Sequence, residues 1–212
     1  MSTSTRRKAD KAPSYHHGNL RAALVAVGLK LLESGQSAEF SQRELTRQVG
    51  VSANAAYRHF ASKEDLLTAM AAEGFRQLIN DQAAAIQKRS GAAERFLGAG
   101  RAYVGFARRH PALFRLMFSR FAAANRSEEL NAAAQLAYEG MRYSAAAALE
   151  KPVNDAQVTV MAMRAWSTVH GLSQLIIDGQ FDRHTDDIDK LVDTVLEQAA
   201  SLRMEAKAKG RS

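Results

Sequence analysis

Two short helices joined by a tight turn are encoded in residues 40–66, and this segment constrains the fold more than any other. Ser41 and Glu44 stand three residues apart, which is the spacing of a capping box, so a helix is expected to open there. Leu45 begins the apolar side of that helix, and Gly50 supplies the backbone freedom that a sharp turn requires. The pattern predicts a short helix followed directly by a turn.

A second and a third helix follow this turn closely. Ser52 is placed to cap the second helix, whose inner face carries Ala56 and Phe60. Ser62 and Asp65 repeat the capping-box spacing and open the third helix. Because a helix-turn-helix places its second helix in the major groove of DNA, the segment predicts a DNA-binding head.

The rest of the chain also favours helices, and its sequence contains no strand pattern. Three prolines among 212 residues leave long stretches free to be helical, and a hydrophobic content of 46% is enough for a core. Apolar residues recur at helical spacing between glycine and proline breaks. Besides the two short helices, the predicted helices cover residues 19–35, 62–89, 92–109, 111–121, 127–149, 155–178 and 185–206. The predicted fold class is all-α, with about nine helices.

Positive charge is concentrated at the N-terminal end of the chain. Residues 1–60 hold nine Lys or Arg against four Asp or Glu, whereas the residues after them hold 20 against 18. A basic face beside a helix-turn-helix attracts phosphates and releases counterions when it docks. Arg6, Arg7 and Lys8 are candidates for an arm that reaches a neighbouring groove. For residues 1–17 alone, a solvated tail explains the charge equally well.

Several classes of protein are excluded by what the sequence lacks. The absence of cysteine excludes a disulfide framework and zinc-finger chemistry. No apolar run reaches the roughly 18–20 residues that span a bilayer, and the N-terminus does not resemble a secretory signal. Motifs for nucleophilic catalysis, nucleotide phosphates and metalloproteases are missing, and Gly98-Ala-Gly100 lacks the third glycine of a dinucleotide loop. We expect a soluble cytoplasmic protein that has no cofactor and no bound metal and is not an enzyme.

Residues 15–75 resemble the N-terminal domain of TetR-family transcriptional regulators. The resemblance is carried by Phe40-Ser-Gln-Arg-Glu-Leu45, Gly50-Val51-Ser52, Tyr57-Arg58-His59-Phe60 and Ser62-Lys63-Glu64-Asp65-Leu66. Three further stretches are similar to the subgroup named for its Trp-His-Gly C-terminal domain: Tyr15–Arg21, His110–Phe118 and Ala165–Leu172. Thr46 and Val49 depart from the family pattern, in which alanine is common at both positions, so we expect slightly different helix packing there.

The resemblance implies a regulator with four parts. These are a flexible basic arm (1–17), a three-helix DNA-binding domain (18–65), a helical effector-binding and dimerisation domain (66–206) and a short tail (207–212). The family default is a repressor that binds a palindromic operator as a homodimer and is released by a small hydrophobic effector. A non-specific architectural DNA-binding protein without an effector is the alternative, and operator mapping separates the two.

Nine residues are the candidate DNA contacts: Ser41, Arg43, Ser52, Ala53, Asn54, Tyr57, Arg58, His59 and Lys63. Helical geometry puts Ala53 and Tyr57 on one outer row and Asn54 on the next. An asparagine there can pair with an adenine edge, whereas Tyr57 and His59 are expected to position the head on the DNA backbone. Lys63 opens a helix, where free N–H groups and the helix dipole favour a phosphate. A solvated helix surface is the alternative reading of the same residues.

The family resemblance also implies an effector cavity among the middle helices. The candidate ligand contacts are the aromatic, methionine and histidine residues Tyr103, Phe106, Phe114, Met117, Phe118, Tyr138, Met141, Met163, Trp166 and His170. A pocket of this kind is mostly apolar with a few polar groups. Taken singly, a methionine or aromatic residue at helical spacing is more often core than ligand contact.

Helices 155–178 and 185–206 are expected to form the dimer. Each carries more apolar positions than one protomer needs, and pairing across a two-fold axis would make a four-helix bundle. Alternatively, both simply complete the core of one protomer. In the expected mechanism, a ligand pushes helix 111–121 against helix 62–89, which moves the heads away from the spacing of one DNA turn, roughly 34 Å.

Overall fold

The computed structural model describes residues 20–35, 42–124 and 127–209, and these ranges contain ten helices and no strand. The all-α prediction is therefore confirmed. The helices are α1 (Leu20–Glu33), α2 (Gln42–Val49), α3 (Ala53–Tyr57), α4 (Lys63–Gln87), α5 (Ala92–Arg109), α6 (Pro111–Met117), α7 (Arg120–Ala124), α8 (Glu128–Leu149), α9 (Ala156–Ile177) and α10 (Ile188–Lys209).

Serine caps start α3 and α4 where the sequence predicts them. The Ser52 hydroxyl accepts the backbone N–H of Ala55 at 3.2 Å. Ser62 accepts the N–H of Asp65, and the Asp65 carboxylate accepts the N–H of Ser62, both at 3.0 Å. This reciprocal pair satisfies two donors that the first turn of a helix leaves unpaired. The caps therefore fix where α3 and the long helix α4 begin.

The turn between α2 and α3 depends on a glycine. Gly50 has φ +75°, a conformation that costs a side-chain-bearing residue energy but suits glycine. Thr46, one of the two departures from the family pattern, is buried and donates its hydroxyl to the backbone oxygen of Arg43 at 3.0 Å. Val49, the other, is half-buried. The predicted cap Ser41 lies outside the described residues.

Helix α4 connects the head to the helical body. It packs most extensively on α5 and α8 and also contacts α1 and α6. Gly74 lets α6 approach closely, because a Cβ at that position would lie 2.6 Å from Sδ of Met117 and 3.0 Å from Leu113. Contact at this distance is possible only where the helix has no side chain. Movement of α6 is therefore coupled sterically to α4.

The predicted helix 111–121 is interrupted and forms two short helices. Pro111 occupies the first turn of α6 as expected, and α6 ends at Met117. The Ser119 hydroxyl donates to the carbonyl of Leu116 at 2.8 Å and accepts the N–H of Ala122 at 3.1 Å. A serine that bonds to the neighbouring backbone in this way competes with continuous helix. The single predicted helix is accordingly replaced by α6 and α7.

The C-terminal half of the chain consists of long helices with few breaks. Helix α9 ends before Gly179, which has φ +69°. Helix α10 runs to Lys209, so it includes the first residues of the predicted tail 207–212. Within the described ranges, none of the helices combines the length and apolar character needed to cross a bilayer.

Candidate DNA-binding head and effector cavity

Helices α1, α2 and α3 form a small head whose inner side is buried and whose outer side is open. Leu45, Ala56 and Phe60 lie in the core with exposed fractions of 1%, 5% and 4%, as their spacing predicts. The opposite side of α3 is exposed, including Asn54, and Tyr57 keeps 51% of its surface accessible. A short helix is thus presented outward by a packed support.

Eight of the nine candidate DNA contacts fall within the described residues, and Ser41 does not. Seven of the eight are exposed on or beside α2 and α3: Arg43, Ser52, Ala53, Asn54, Tyr57, Arg58 and His59. Lys63 is half-buried and is the first residue of α4, directly after the capping Ser62. A cation and an array of N–H groups therefore stand together at the start of the long helix.

An ion-pair network holds the head against the body. Arg21 of α1 pairs with Glu129 of α8, and Glu129 also pairs with Arg76 of α4. The Arg21 guanidinium lies 5.2 Å from the centre of the Phe60 ring. Burial acts to raise the pKa of Glu129, but hydrogen bonds from the two arginines outweigh it and hold that pKa below its ordinary value. The carboxylate therefore stays charged and joins three helices.

Helix α6 is anchored at one end to the head and at the other to α9. The Glu33 carboxylate, at the end of α1, accepts the backbone N–H groups of Ala112 at 3.4 Å and Leu113 at 3.0 Å. At the other end, Arg115 donates to the Ile177 carbonyl at 2.9 Å and to the Asp178 carboxylate at 2.6 Å. The α6 segment is therefore a physical link between the head and the end of α9.

A cavity of about 710 Å³ lies between α4, α5, α8, α9 and α10. Its wall is mostly apolar, and its volume falls within the roughly 300–1,000 Å³ of small-molecule pockets. Six of the ten predicted ligand contacts lie in its wall: Tyr103, Met117, Phe118, Tyr138, Met141 and Trp166. Because Met117 and Phe118 belong to the end of α6, the cavity wall includes the segment that links to the head.

The other four predicted ligand contacts do not line this cavity. Phe106 and Phe114 are completely buried in the core beside it, where Phe106 packs on the His110 ring at 5.1 Å. Met163 is 37% exposed, because α9 turns the adjacent Ala162 inward and so directs Met163 away from the interior. The fourth, His170, packs against the ring of Phe118, which is part of the cavity wall.

The cavity wall is backed by a neutral polar pair. The Tyr103 hydroxyl lies 2.9 Å from Nδ1 of His170, and the Phe118 and Phe114 rings lie 4.6 and 5.3 Å from the His170 ring. Burial lowers the pKa of His170 and raises the pKa of Tyr103. Near neutral pH both groups are therefore uncharged, and they share one hydrogen bond between the Tyr103 hydroxyl and Nδ1 of His170.

This arrangement predicts a pH dependence of stability. The folded-state pKa of His170 lies below its unfolded value of about 6.5, so the unfolded chain binds more protons in that range. The stabilising contribution is present above about pH 6.5 and is lost as the pH falls through the folded-state pKa. We expect the melting temperature to fall on acidification less steeply in His170→Gln, which cannot titrate. A matched change at the exposed His184, His184→Gln, should leave the wild-type slope.

Sequence reasoning missed part of the cavity wall. Leu78 and Ile79 have the spacing of an ordinary apolar helix face in the sequence, but they line the cavity from α4. Arg164 also lines the cavity, although a single charge on an otherwise apolar helix is typical of solvated surface. The sequence does distinguish this residue, because Arg164 is the only Lys or Arg between residues 152 and 182.

Comparison with known proteins identifies both halves of the chain. A model of the bacterial regulatory proteins of the tetR family matches residues 24–70. A model of the tetracyclin repressor-like C-terminal domain matches residues 96–199, which include the Trp-His-Gly stretch. Among curated proteins, no sequence matches this chain.

Solved structures share the fold over most of the chain. A protein of unknown function from Rhodococcus sp. RHA1 is 29% identical, with a TM-score of 0.74 and coverage of 90% of this chain and 96% of that one. A tetR-family transcriptional regulator from Streptomyces coelicolor is 20% identical, with a TM-score of 0.70 and coverage of 89% and 82%. A TetR/AcrR-family regulator from Thermobifida fusca YX-ER1 is 17% identical, with a TM-score of 0.62 and coverage of 86% and 97%.

The two model matches fit the order of the helices, with an exposed helix-turn-helix before a larger helical body. Regulators of this kind are DNA-binding transcription factors, which confirms the prediction that the chain is not an enzyme. The resemblance found in the sequence is likewise confirmed. The chain belongs to the TetR family of DNA-binding transcriptional regulators.

Proposed function

We propose that this regulator is a repressor that binds a palindromic operator as a homodimer and is released by a small, largely hydrophobic effector. The observation that carries the proposal is the position of α6. One end of the segment lines the apolar cavity through Met117, and the other end is capped by Glu33 of the head. A ligand in the cavity therefore touches the element that contacts the DNA-binding head.

The proposal assigns residues 18–65 to DNA binding and residues 66–206 to effector binding and dimerisation. Helix α4 crosses this boundary without interruption, so displacement of its cavity end is transmitted to the head. The steric contact between Gly74 and Met117 gives α6 a direct way to displace α4. A ligand that prefers one arrangement over the other shifts the equilibrium by its difference in affinity, commonly about 1–3 kcal/mol.

Dimerisation is proposed to occur through α9, with α10 beside it. Helix α9 exposes four large apolar side chains, Val160 at 58%, Leu175 at 46%, Met163 at 37% and Trp166 at 36%. Val160 and Trp166 also line the cavity, which leaves Leu175 and Met163 for the subunit contact. On α10, Val192 and Leu196 are buried against the body of the same protomer. Pairing the exposed side of α9 with its copy would bury apolar surface that a single protomer leaves in water.

The DNA contacts are proposed to divide into one group that reads sequence and one that only positions the head. Asn54, exposed on α3, has the donor and acceptor that pair with an adenine edge in the major groove. Lys63, at the start of α4, is assigned to a phosphate. Ser41 and the arm 1–17 are also proposed as DNA contacts, and for them the support comes from the sequence alone.

Substitutions at the two positions should have different consequences. Lys63→Ala should weaken binding to all DNA sequences alike and reduce the salt slope by about one. Asn54→Ala should instead relax the preference at one base pair, by about 1–3 kcal/mol. Matched controls are Lys88→Ala, at the other end of α4, and Asn154→Ala in the α8–α9 connection, and neither should change binding. Equal sequence preference in wild type and Asn54→Ala would overturn the base-contact assignment.

Operator mapping tests the proposal as a whole. The expected result is a short palindromic footprint with half-sites about one DNA turn apart, roughly 34 Å, which disappears when a hydrophobic ligand fills the cavity. Uniform coverage governed by salt alone would favour the architectural alternative. A footprint that strengthens with ligand would show an activator or a co-repressed regulator instead.

A further inference from the structure

We infer that the effector is an anionic amphiphile, whose apolar tail fills the cavity and whose charged end pairs with Arg164. This inference rests on the proposed effector function and names the chemical class of the ligand. The acidic group is a carboxylate or a phosphate ester, because both present oxygens to which a guanidinium donates two parallel hydrogen bonds.

The first argument is the charge of the cavity wall. Among the described residues that line it, Arg164 is the only one with a charged side chain. The remaining wall combines apolar residues with neutral polar groups such as Gln82 and Ser144. A neutral hydrophobic effector would form no ion pair with a cation in this position, whereas a cationic effector would be repelled by it.

The second argument is that Arg164 is not neutralised by the protein. Within the described ranges, no carboxylate lies within ion-pair distance of its guanidinium. Other arginines on the helical body form ion pairs with carboxylates of the protein. Arg76 contacts Glu73 and Glu129, and Arg101 donates to Asp193 at 2.5 Å. The wall of the cavity thus carries an exposed cation that no described carboxylate neutralises, and an anionic ligand group would pair with it.

The third argument is the shape of the cavity and the position of the cation. Lining residues on α8 extend from Leu130 to Leu149, about 28 Å of helix at 1.5 Å per residue. A volume of about 710 Å³ over that length describes a long, narrow space. The exposed lining residues lie on α8 and α9, so the cavity opens between these two helices, and Arg164 is one of them: Asn131, Leu136, Gly140, Ala156, Gln157, Val160, Arg164 and Trp166. An amphiphile fits this geometry, with its tail along the apolar wall and its anionic end at the exposed Arg164.

Ligand binding in the cavity can be measured by the fluorescence of Trp166. Trp166 is the only tryptophan of the chain and lies in the cavity wall two positions from Arg164, so its fluorescence reports occupancy. Four probes with the same twelve-carbon tail are titrated into the full-length protein below their micelle-forming concentrations. They are dodecanoate, dodecyl phosphate, dodecanol and dodecyltrimethylammonium.

The wild-type protein should bind the two anions more tightly than dodecanol by about two- to fivefold, the effect of a partly exposed ion pair, and bind the ammonium most weakly. In Arg164→Gln the two anions should lose this advantage while dodecanol keeps its affinity. Arg120→Gln, an exposed arginine of α7 outside the cavity, should behave as wild type. The ratio between dodecanoate and dodecyl phosphate distinguishes the two acidic groups.

Three results would overturn the inference. They are equal wild-type affinity for dodecanol and both anions, an unchanged preference in Arg164→Gln, and no binding of any probe. Sedimentation of each variant provides a further check, because a dimer that dissociates in Arg164→Gln would assign Arg164 to the subunit contact instead. Operator release is scored separately: anion-selective binding without release would contradict the proposed function and leave the inference about the ligand standing.

Discussion

Replacing Met163 and Leu175 together by aspartate should convert the protein into a monomer and weaken operator binding by about 10²- to 10⁴-fold. Both side chains are exposed on α9, at 37% and 46%, and neither lines the cavity, so the change should leave the fold and the effector site intact. Placing two carboxylates on a surface that meets its own copy sets like charges against each other. Loss of the dimer then removes the advantage of binding two half-sites at once.

The measurement is sedimentation of the variant alongside an operator titration. Tyr143→Asp is the matched control, because Tyr143 is an equally prominent apolar side chain, 59% exposed, on α8 and outside the proposed contact. It should remain dimeric and bind the operator normally. A double variant that stays dimeric, or a control that dissociates, would place the subunit contact on another face.

Replacing Glu33 by alanine should separate effector binding from operator release. The carboxylate caps α6 from the end of α1, so its removal deletes a direct link between the cavity segment and the head. We expect cavity binding, followed by Trp166 fluorescence, to keep its wild-type affinity. Without effector, the operator should still be bound. The factor by which a saturating effector weakens operator binding should fall from the usual range of about 5–150-fold towards one.

The control for this experiment is Glu94→Ala. Glu94 is an exposed glutamate in the first turn of α5, so it also stands near a helix N-terminus, but it makes no hydrogen bond to the head among the described residues. It should leave release unchanged. If Glu33→Ala releases the operator as fully as wild type, the signal passes through the Gly74–Met117 contact alone, and the Glu33 cap is only structural.

The local start and stop signals of the helices could be predicted because they depend on few neighbouring residues. The Ser62–Asp65 capping box and the positive φ of Gly50 follow from residue type and spacing alone. The division of the predicted helix 111–121 into α6 and α7 could not be predicted in the same way. Its interruption depends on whether the Ser119 hydroxyl bonds to the backbone or to solvent, and tertiary packing decides that.

The cavity was harder to predict than the head. A list of aromatic and methionine residues finds the wall only in part, because the same residue types fill solid core, as Phe106 and Phe114 do. Trp166 and Met163 of α9 are about equally exposed, and the rotation of the helix decides that Trp166 borders the cavity whereas Met163 does not. Periodicity supplies the angle between these two residues but not the absolute rotation of the helix in the bundle.

The absence of a side chain at Gly74 determines how a substitution there would alter the response of the protein. The missing side chain sets the resting separation of α4 and α6, since even one methyl group there would press on the Met117 thioether. In the proposed mechanism, a substitution at this position would therefore shift the concentration of effector at which the operator is released. The surface offered to nucleic acid would stay the same, so sensitivity can be tuned independently of which genes are controlled.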